Sequence, residues 1–192
     1  MPTTRITDAA TEPLTVAVAK RHLRVDDTDS DTTTDISAAI TAARHDAEHR
    51  LQRTLITTTW EHVRDTFPGA CEGYTISLPM GTVQAISSVK YVDEAGTLQT
   101  LASDQYQLSG DRLAPAYGCS WPATRSGDLG AVRVRYTAGY GAASTDVPAP
   151  VIAWIKLALG DLWDQRARSS DKPAVPQHFA DGLLDAYRIW AL

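Results

Sequence analysis

Apolar residues recur along this chain with two periods, and the change from one to the other divides it into thirds. Residues 1–13 are polar and predict a frayed end. Thr15 then predicts the cap of a short helix, Val16 to Leu23, with Val16, Ala19 and Leu23 among its apolar positions. The acidic stretch 26–35 reads as a loop leading into a second helix, Thr33 to Arg53. Ile36, Ala39, Ile40, Ala43, Ala47 and Leu51 give that helix a 3.6-residue stripe. Much of the stripe is alanine, which lets another helix approach closely.

After Thr54 the period shortens to two. Strands are predicted over 55–67, 74–78, 83–92, 97–101, 106–108 and 112–115, with loops at 68–73 and 116–130. Glu94-Ala95-Gly96 signals a hairpin turn. Val132, Val134 and Tyr136 alternate with Arg133, Arg135 and Thr137, the pattern of a half-buried strand. The corner Gly139-Tyr140-Gly141 ends it.

The helical period then returns. Pro148 and Pro150 sit at the mouth of a helix predicted over Val147–Arg168, where a missing N–H costs nothing. Ile152, Ile155, Leu159, Leu162 and Trp163 form its stripe. Val151, Trp154, Leu157 and Ala158 widen it until most of the girth is apolar, which predicts a helix surrounded by protein. Arg166 and Arg168 close it where the helix dipole favours cations. A polar linker, Ser169 to Pro176, leads to a terminal helix from about His178 to Trp190. There Phe179, Leu183, Tyr187 and Trp190 form a stripe, with Leu184 and Ala186 beside it. Such a helix either folds back onto its own core or docks in a groove of a partner, and its composition leaves both open.

Helices from both ends of the chain have no other sizeable apolar partner, so they are expected to pack together. The fold class is therefore α+β: an antiparallel helical body with a β-rich insertion in the middle.

Composition adds limits. The chain has 192 residues, 43% hydrophobic and 21% charged, which fits one ordinary globular domain. The net charge of −5 argues against a general nucleic-acid binder. Cys71 and Cys119 are the only cysteines and lie in no CxxC, so they read as free thiols. No secretory signal is visible, and Lys156 interrupts an apolar run too short to span a bilayer. A soluble protein, intracellular at synthesis, is expected.

Candidate chemistry is sparse. His45-Asp46-Ala47-Glu48-His49 matches H-x-x-E-H, the inverted zinc-protease signature, which centres a zinc-dependent hydrolase reading on His45, Glu48 and His49. Yet no acidic third ligand follows in an evident helix, and both histidines lie off the apolar stripe, so a solvated polar face is the stronger reading. Cys119 has no histidine near it in sequence. The Gly139–Gly141 corner sits where a phosphate loop would, but it lacks the Walker lysine and the third glycine of a dinucleotide fingerprint. Arg133 and Arg135 beside Tyr136 read as a solvent face. No catalytic, cofactor or metal site is expected.

The blocks LTVAVAKRHLRVDD (14–27), LITTTWEHVRDTFP (55–68), ISLPMGTVQAISSVKYVDEAG (76–96), PAYGCSWPATR (115–125), AVRVRYTAGYG (131–141) and LLDAYRIW (183–190), with the Ala-rich helix between the first two, carry a resemblance. In order and spacing they resemble the head–tail connector (adaptor) proteins of tailed bacteriophages and gene transfer agents. The resemblance implies a single connector domain over residues 1–192. Its helical body would comprise 14–54 and 147–169, its β-rich insertion 55–141, and its linker and docking helix 170–192. It implies a non-enzymatic virion protein of the neck, assembled in the host cytoplasm. The protein would form a ring of about twelve copies, bind the portal on one side and a tail-side stopper or completion protein on the other, and extend the DNA channel. DNA would pass without sequence-specific binding, and no membrane or cofactor is involved. Portal docking by the C-terminal segment falls here on Phe179, Leu183, Leu184, Tyr187 and Trp190. The mixed charges of Arg44, Asp46, Glu48 and Arg50 offer a ring contact, although plain solvent exposure is the simpler reading. The loops 68–73 and 116–130 are candidates for the tail-side partner. A stopper or tail-completion protein is the alternative within the same structural class.

Overall fold

The strand Val132–Ala138 (β8) is the spine of the larger sheet, because its two neighbours read its alternation from both sides. In the computed structural model, which describes residues 2–25, 30–164 and 178–189 (without the side chains of Ser30, His178, Phe179 and Asp181), the chain divides into two compact units. One comprises the chain up to Ala9 together with Thr57–Gly139; the other comprises Ala10–Ile56 together with the chain from Tyr140 onward.

The first unit holds two sheets. Thr3–Thr7 (β1), Thr58–Arg64 (β2), Val83–Val92 (β4) and Leu98–Leu101 (β5) join β8 in the antiparallel order β1-β2-β8-β4-β5. Ile76–Ser77 (β3), Tyr106–Ser109 (β6) and Arg112–Pro115 (β7) form a smaller sheet in the order β3-β7-β6. On β8 the buried side chains are Val132, Val134, Tyr136 and Ala138. Opposite them on β2 stand Arg64, His62, Trp60 and Thr58, so matched registers put one face of both strands into one core. Ile76, Leu78 and Leu113 of the smaller sheet and its flank close that core against Val89, Val132 and Val134. On the other face Arg135 pairs with Glu61 at 2.8 Å, so the arginine face of β8 is the expected exposed one. The hairpin turn also forms as expected: Asp93 and Thr97 close it with N–H···O bonds of 3.0 and 2.8 Å.

The chain start corrects an expectation. Residues 3–7 are not frayed but pair with β2, and a bulge between Arg5 and Thr7 leaves Ile6 unpaired. Polar threonines gave no apolar alternation to read. The pairing rests instead on backbone bonds and on a hydrogen bond of 2.8 Å between Thr3 Oγ1 and His62 Nδ1. The strand expected over 55–67 is shorter, Thr58–Arg64.

The second unit is helical. Thr15 Oγ1 accepts the Val18 N–H and caps Val16–Leu23 (α1), as expected. The next helix, Ser30–Leu51 (α2), begins earlier than expected, so 30–35 is helix rather than loop. Ala149–Asp164 (α3) follows Pro148, whose carbonyl accepts the Val151 and Ile152 N–H groups. Its expected closing residues Arg166 and Arg168 lie outside the described residues. The stripes of α1, α2 and α3 meet at Leu14, Ala19, Ile36, Ile40 and Leu159. The alanines of α2 do admit α3, since Ala43 and Ala47 are fully buried. Leu162 departs from the expectation of an all-round apolar environment and is 47% exposed. The last helix is His178–Asp185 (α4); it stops short of the expected Trp190, giving way to a turn at Ala186–Tyr187. No helix among the described residues is long and apolar enough to cross a membrane.

Candidate partner-binding surfaces

The face of α2 that reads as solvated is split. Arg44 and Glu48 are buried, at 1% exposure each, whereas His45, Asp46, His49 and Arg50 are exposed. Arg44 Nε and Nη2 reach the two carboxylate oxygens of Glu12 at 2.8 and 3.3 Å, the forked geometry that guanidinium and carboxylate share. Arg44 Nη1 lies 3.4 Å from Glu48 Oε2. The other oxygen of Glu48 accepts the Leu55 N–H at 3.0 Å, and Thr41 Oγ1 donates to Glu12 at 2.9 Å. This is a structural clamp: it ties the segment before α1 and the segment after α2 to the helix. Arg44 and Glu48 are therefore withdrawn as ring-contact residues, because a buried charge is committed to the partners that solvate it. Asp46 and Arg50 remain on the surface, paired at 3.1 Å, with Arg50 also 5.3 Å from the Trp154 ring centre.

The same split dismantles the H-x-x-E-H reading. Glu48 points to the core and its carboxylate is occupied, while His45 and His49 face outward. Among the described residues no three His, Cys, Asp or Glu side chains gather as a metal site.

The Gly139–Gly141 corner is a fold device. Gly139 sits at φ 143°, a region disfavoured for residues with a Cβ. Tyr140 N–H donates to Leu55 O at 3.0 Å, and Gly141 bridges Ile56 in parallel. A Cβ on Gly141 would overlap the Asp146 carboxyl group, which accepts the Ala143 N–H at 3.0 Å. Gly139 N–H donates to Thr82 O at 3.1 Å, so the N–H groups of Gly139 and Tyr140 are used within the chain rather than offered to a phosphate.

The C-terminal residues resolve part of the choice left open by composition. Leu184 is 4% exposed, and α4 packs on α3 and α2. Beyond it, Tyr187 N–H closes a turn on Leu184 O, and Ile189 N–H donates to Leu51 O at 3.0 Å. Leu184 thus anchors the segment to its own unit. Leu183 and Tyr187 are half-buried. Phe179 lies on α4, but its side chain, like the whole of Trp190, lies outside the described residues.

In the first unit the loop 116–130 is pinned through Trp121. Trp121 stacks on Phe67 at 4.7 Å and donates through Nε1 to Tyr74 O at 2.8 Å; Phe67 meets Tyr91 edge-on. Tyr117 is fully exposed, and Leu129 and Tyr74 are exposed as well. Cys71 is exposed and Cys119 half-buried, both as free thiols. In the same unit burial, reinforced by the Arg64 charge, lowers the His62 pKa to about 4. Burial and the charge of Asp111 raise that of Tyr136, whose hydroxyl donates to Pro79 O at 2.7 Å. These shifts belong to a packed β core, not to an acid–base pair.

No protein-family model matches the chain, and no curated protein matches it. Solved structures do. A chain in the neck of an empty GTA particle computed with C6 symmetry is similar at TM-score 0.82 and 20% identity. A chain in the virion of a native gene transfer agent (GTA) particle is similar at TM-score 0.80 and 22% identity. A third, in the neck of a native GTA particle computed with C12 symmetry, is similar at TM-score 0.71 and 23% identity. Each similarity covers 100% of this chain and 97% of the other. These particles are of the kind to which the sequence resemblance points, and the protein has the fold of chains found in gene transfer agent necks.

Proposed function

We propose that this protein is a structural, non-enzymatic component of the neck of a phage-like particle: a head–tail connector that forms a ring between the portal and the tail-side neck proteins. The observation that carries the reading is the likeness to chains of GTA necks over 100% of this chain and 97% of each of them. The C6 and C12 symmetries of those necks support a ring of this chain, and a ring requires two different faces of each subunit to meet. The surplus of acid, 23 Asp and Glu against 18 Lys and Arg, suits a channel wall that lets DNA pass.

Within this reading the C-terminal segment is the portal-side element. Leu184 holds it to the body, Leu183 and Tyr187 keep an accessible part, and we assign docking to these two together with Phe179 and Trp190 of the same sequence stripe. The exposed Tyr117 and Leu129 of the 116–130 loop suit a tail-side contact, because rigidly underpinned aromatic and apolar loop residues make effective contact anchors. Co-purification from particles tests the assignment. Recovery with the portal supports the connector role; recovery only with tail-tube proteins moves the protein one step along the neck.

A further inference from the structure

Arg53 differs from two other covered arginines among the described residues. Arg44 and Arg64 each meet a carboxylate at 3.4 Å or less. Arg53 meets none among the described residues, and its Nε is buried without a hydrogen-bond partner. An unsatisfied N–H on a cation is among the costlier groups to leave buried.

The chain around it is fixed. Gln52 turns with φ 54° after α2, and Arg53 N–H donates to Glu48 O at 3.2 Å. On one side Tyr140 N–H donates to Leu55 O; on the other Ile189 N–H donates to Leu51 O, two residues beyond Tyr187. These backbone bonds hold the segments that carry Arg53, Tyr140 and Tyr187 side by side. All three side chains are half-buried, so each keeps an accessible part. The Tyr140 hydroxyl registers the grouping: burial raises its pKa, Arg53 lowers it and Tyr187 raises it.

We propose that Arg53, with the phenols of Tyr140 and Tyr187, is a receptor for the side-chain carboxylate of an aspartate or glutamate on a protein partner. Its Nε is already out of water, so less of the guanidinium remains to be desolvated when its outer N–H groups take up a carboxylate. The two O–H groups add donors to the same oxygens. A single positive charge matches a carboxylate, and the net charge of −5 disfavours a phosphate dianion. The inference stands on these residues and does not need the neck reading.

The test is a titration of the whole protein followed through the arginine Nε–H resonances by NMR. The probes are acetate, N-acetyl-glutamate amide (whose only carboxylate is the side chain) and inorganic phosphate, with chloride at matched ionic strength. The expected result is a saturable shift of Arg53 with acetate and with the blocked glutamate. Tyr140→Phe should weaken binding about tenfold, the value of a hydrogen bond to a charged group. Arg53→Lys should do the same or more, with thermal unfolding showing both variants folded. Saturation by acetate with exclusion of the blocked glutamate would mean a free small carboxylate, and would overturn the proposal. So would preference for phosphate, no saturable shift with any probe, or binding unchanged in folded Tyr140→Phe.

Discussion

Arg44 and Glu48 stand one turn apart on α2 and both face inward, with Nη1 and Oε2 3.4 Å apart at 1% and 2% side-chain exposure. Glu12, 32 residues earlier, completes the clamp. Removing the arginine leaves two carboxylates without their cation. Arg44→Ala is expected to cost about 3–5 kcal/mol in urea unfolding. Glu48→Gln, which keeps an oxygen for the Leu55 N–H, should cost clearly less than Glu48→Ala. Equal costs would mean that the Leu55 contact contributes nothing.

His62 makes stability depend on pH. Its folded pKa is about 4, against 6.5 for the free side chain. Between those values the unfolded chain binds a proton that the folded protein refuses. Stability contributed by the neutral ring is therefore present above about pH 6.5 and is lost as pH falls towards 4. Urea midpoints measured across that window should drop with acid in the native protein and drop less in His62→Gln. Parallel slopes would show that His62 titrates normally.

Gly141 and Asp146 should couple. Gly141→Ala forces the Asp146 carboxyl away from the Ala143 N–H and is expected to cost about 1–3 kcal/mol. In an Asp146→Ala background the obstruction is gone, so the double variant should lose less than the sum of the two singles. Strict additivity would contradict the geometry.

Leu184 and Tyr187 divide the two roles open to the C-terminal segment, packing on its own core and docking on a partner. Leu184→Ala should destabilise the fold by about 2–5 kcal/mol, since it opens a cavity. Tyr187→Ala should unfold near the native midpoint yet weaken portal binding in pull-down. Loss of both properties in both variants would show that the segment has no separate docking face.

What could be read from residues alone was local. Thr15 and its apolar spacing gave α1 its true limits, Val83–Val92 and Arg112–Pro115 gave β4 and β7, and the alanines of α2 gave its partner α3. What could not be read depended on distant chain. Thr3–Thr7 becomes a strand only because β2, some 59 residues on, offers it an edge. Arg44 and Glu48 look solvated until Glu12 and Leu55 arrive to satisfy them. The Arg53 grouping is silent in sequence because Tyr140 and Tyr187 reach it from two other segments. Leu184, which the spacing places beside the terminal stripe rather than in it, makes the segment's contact with its own core.

The most direct test of the neck assignment is electron microscopy of the purified protein, alone and mixed with its portal. The account predicts rings on the portal, of about twelve copies, whether or not the protein forms rings by itself. A protein that stays monomeric and leaves the portal bare would contradict it.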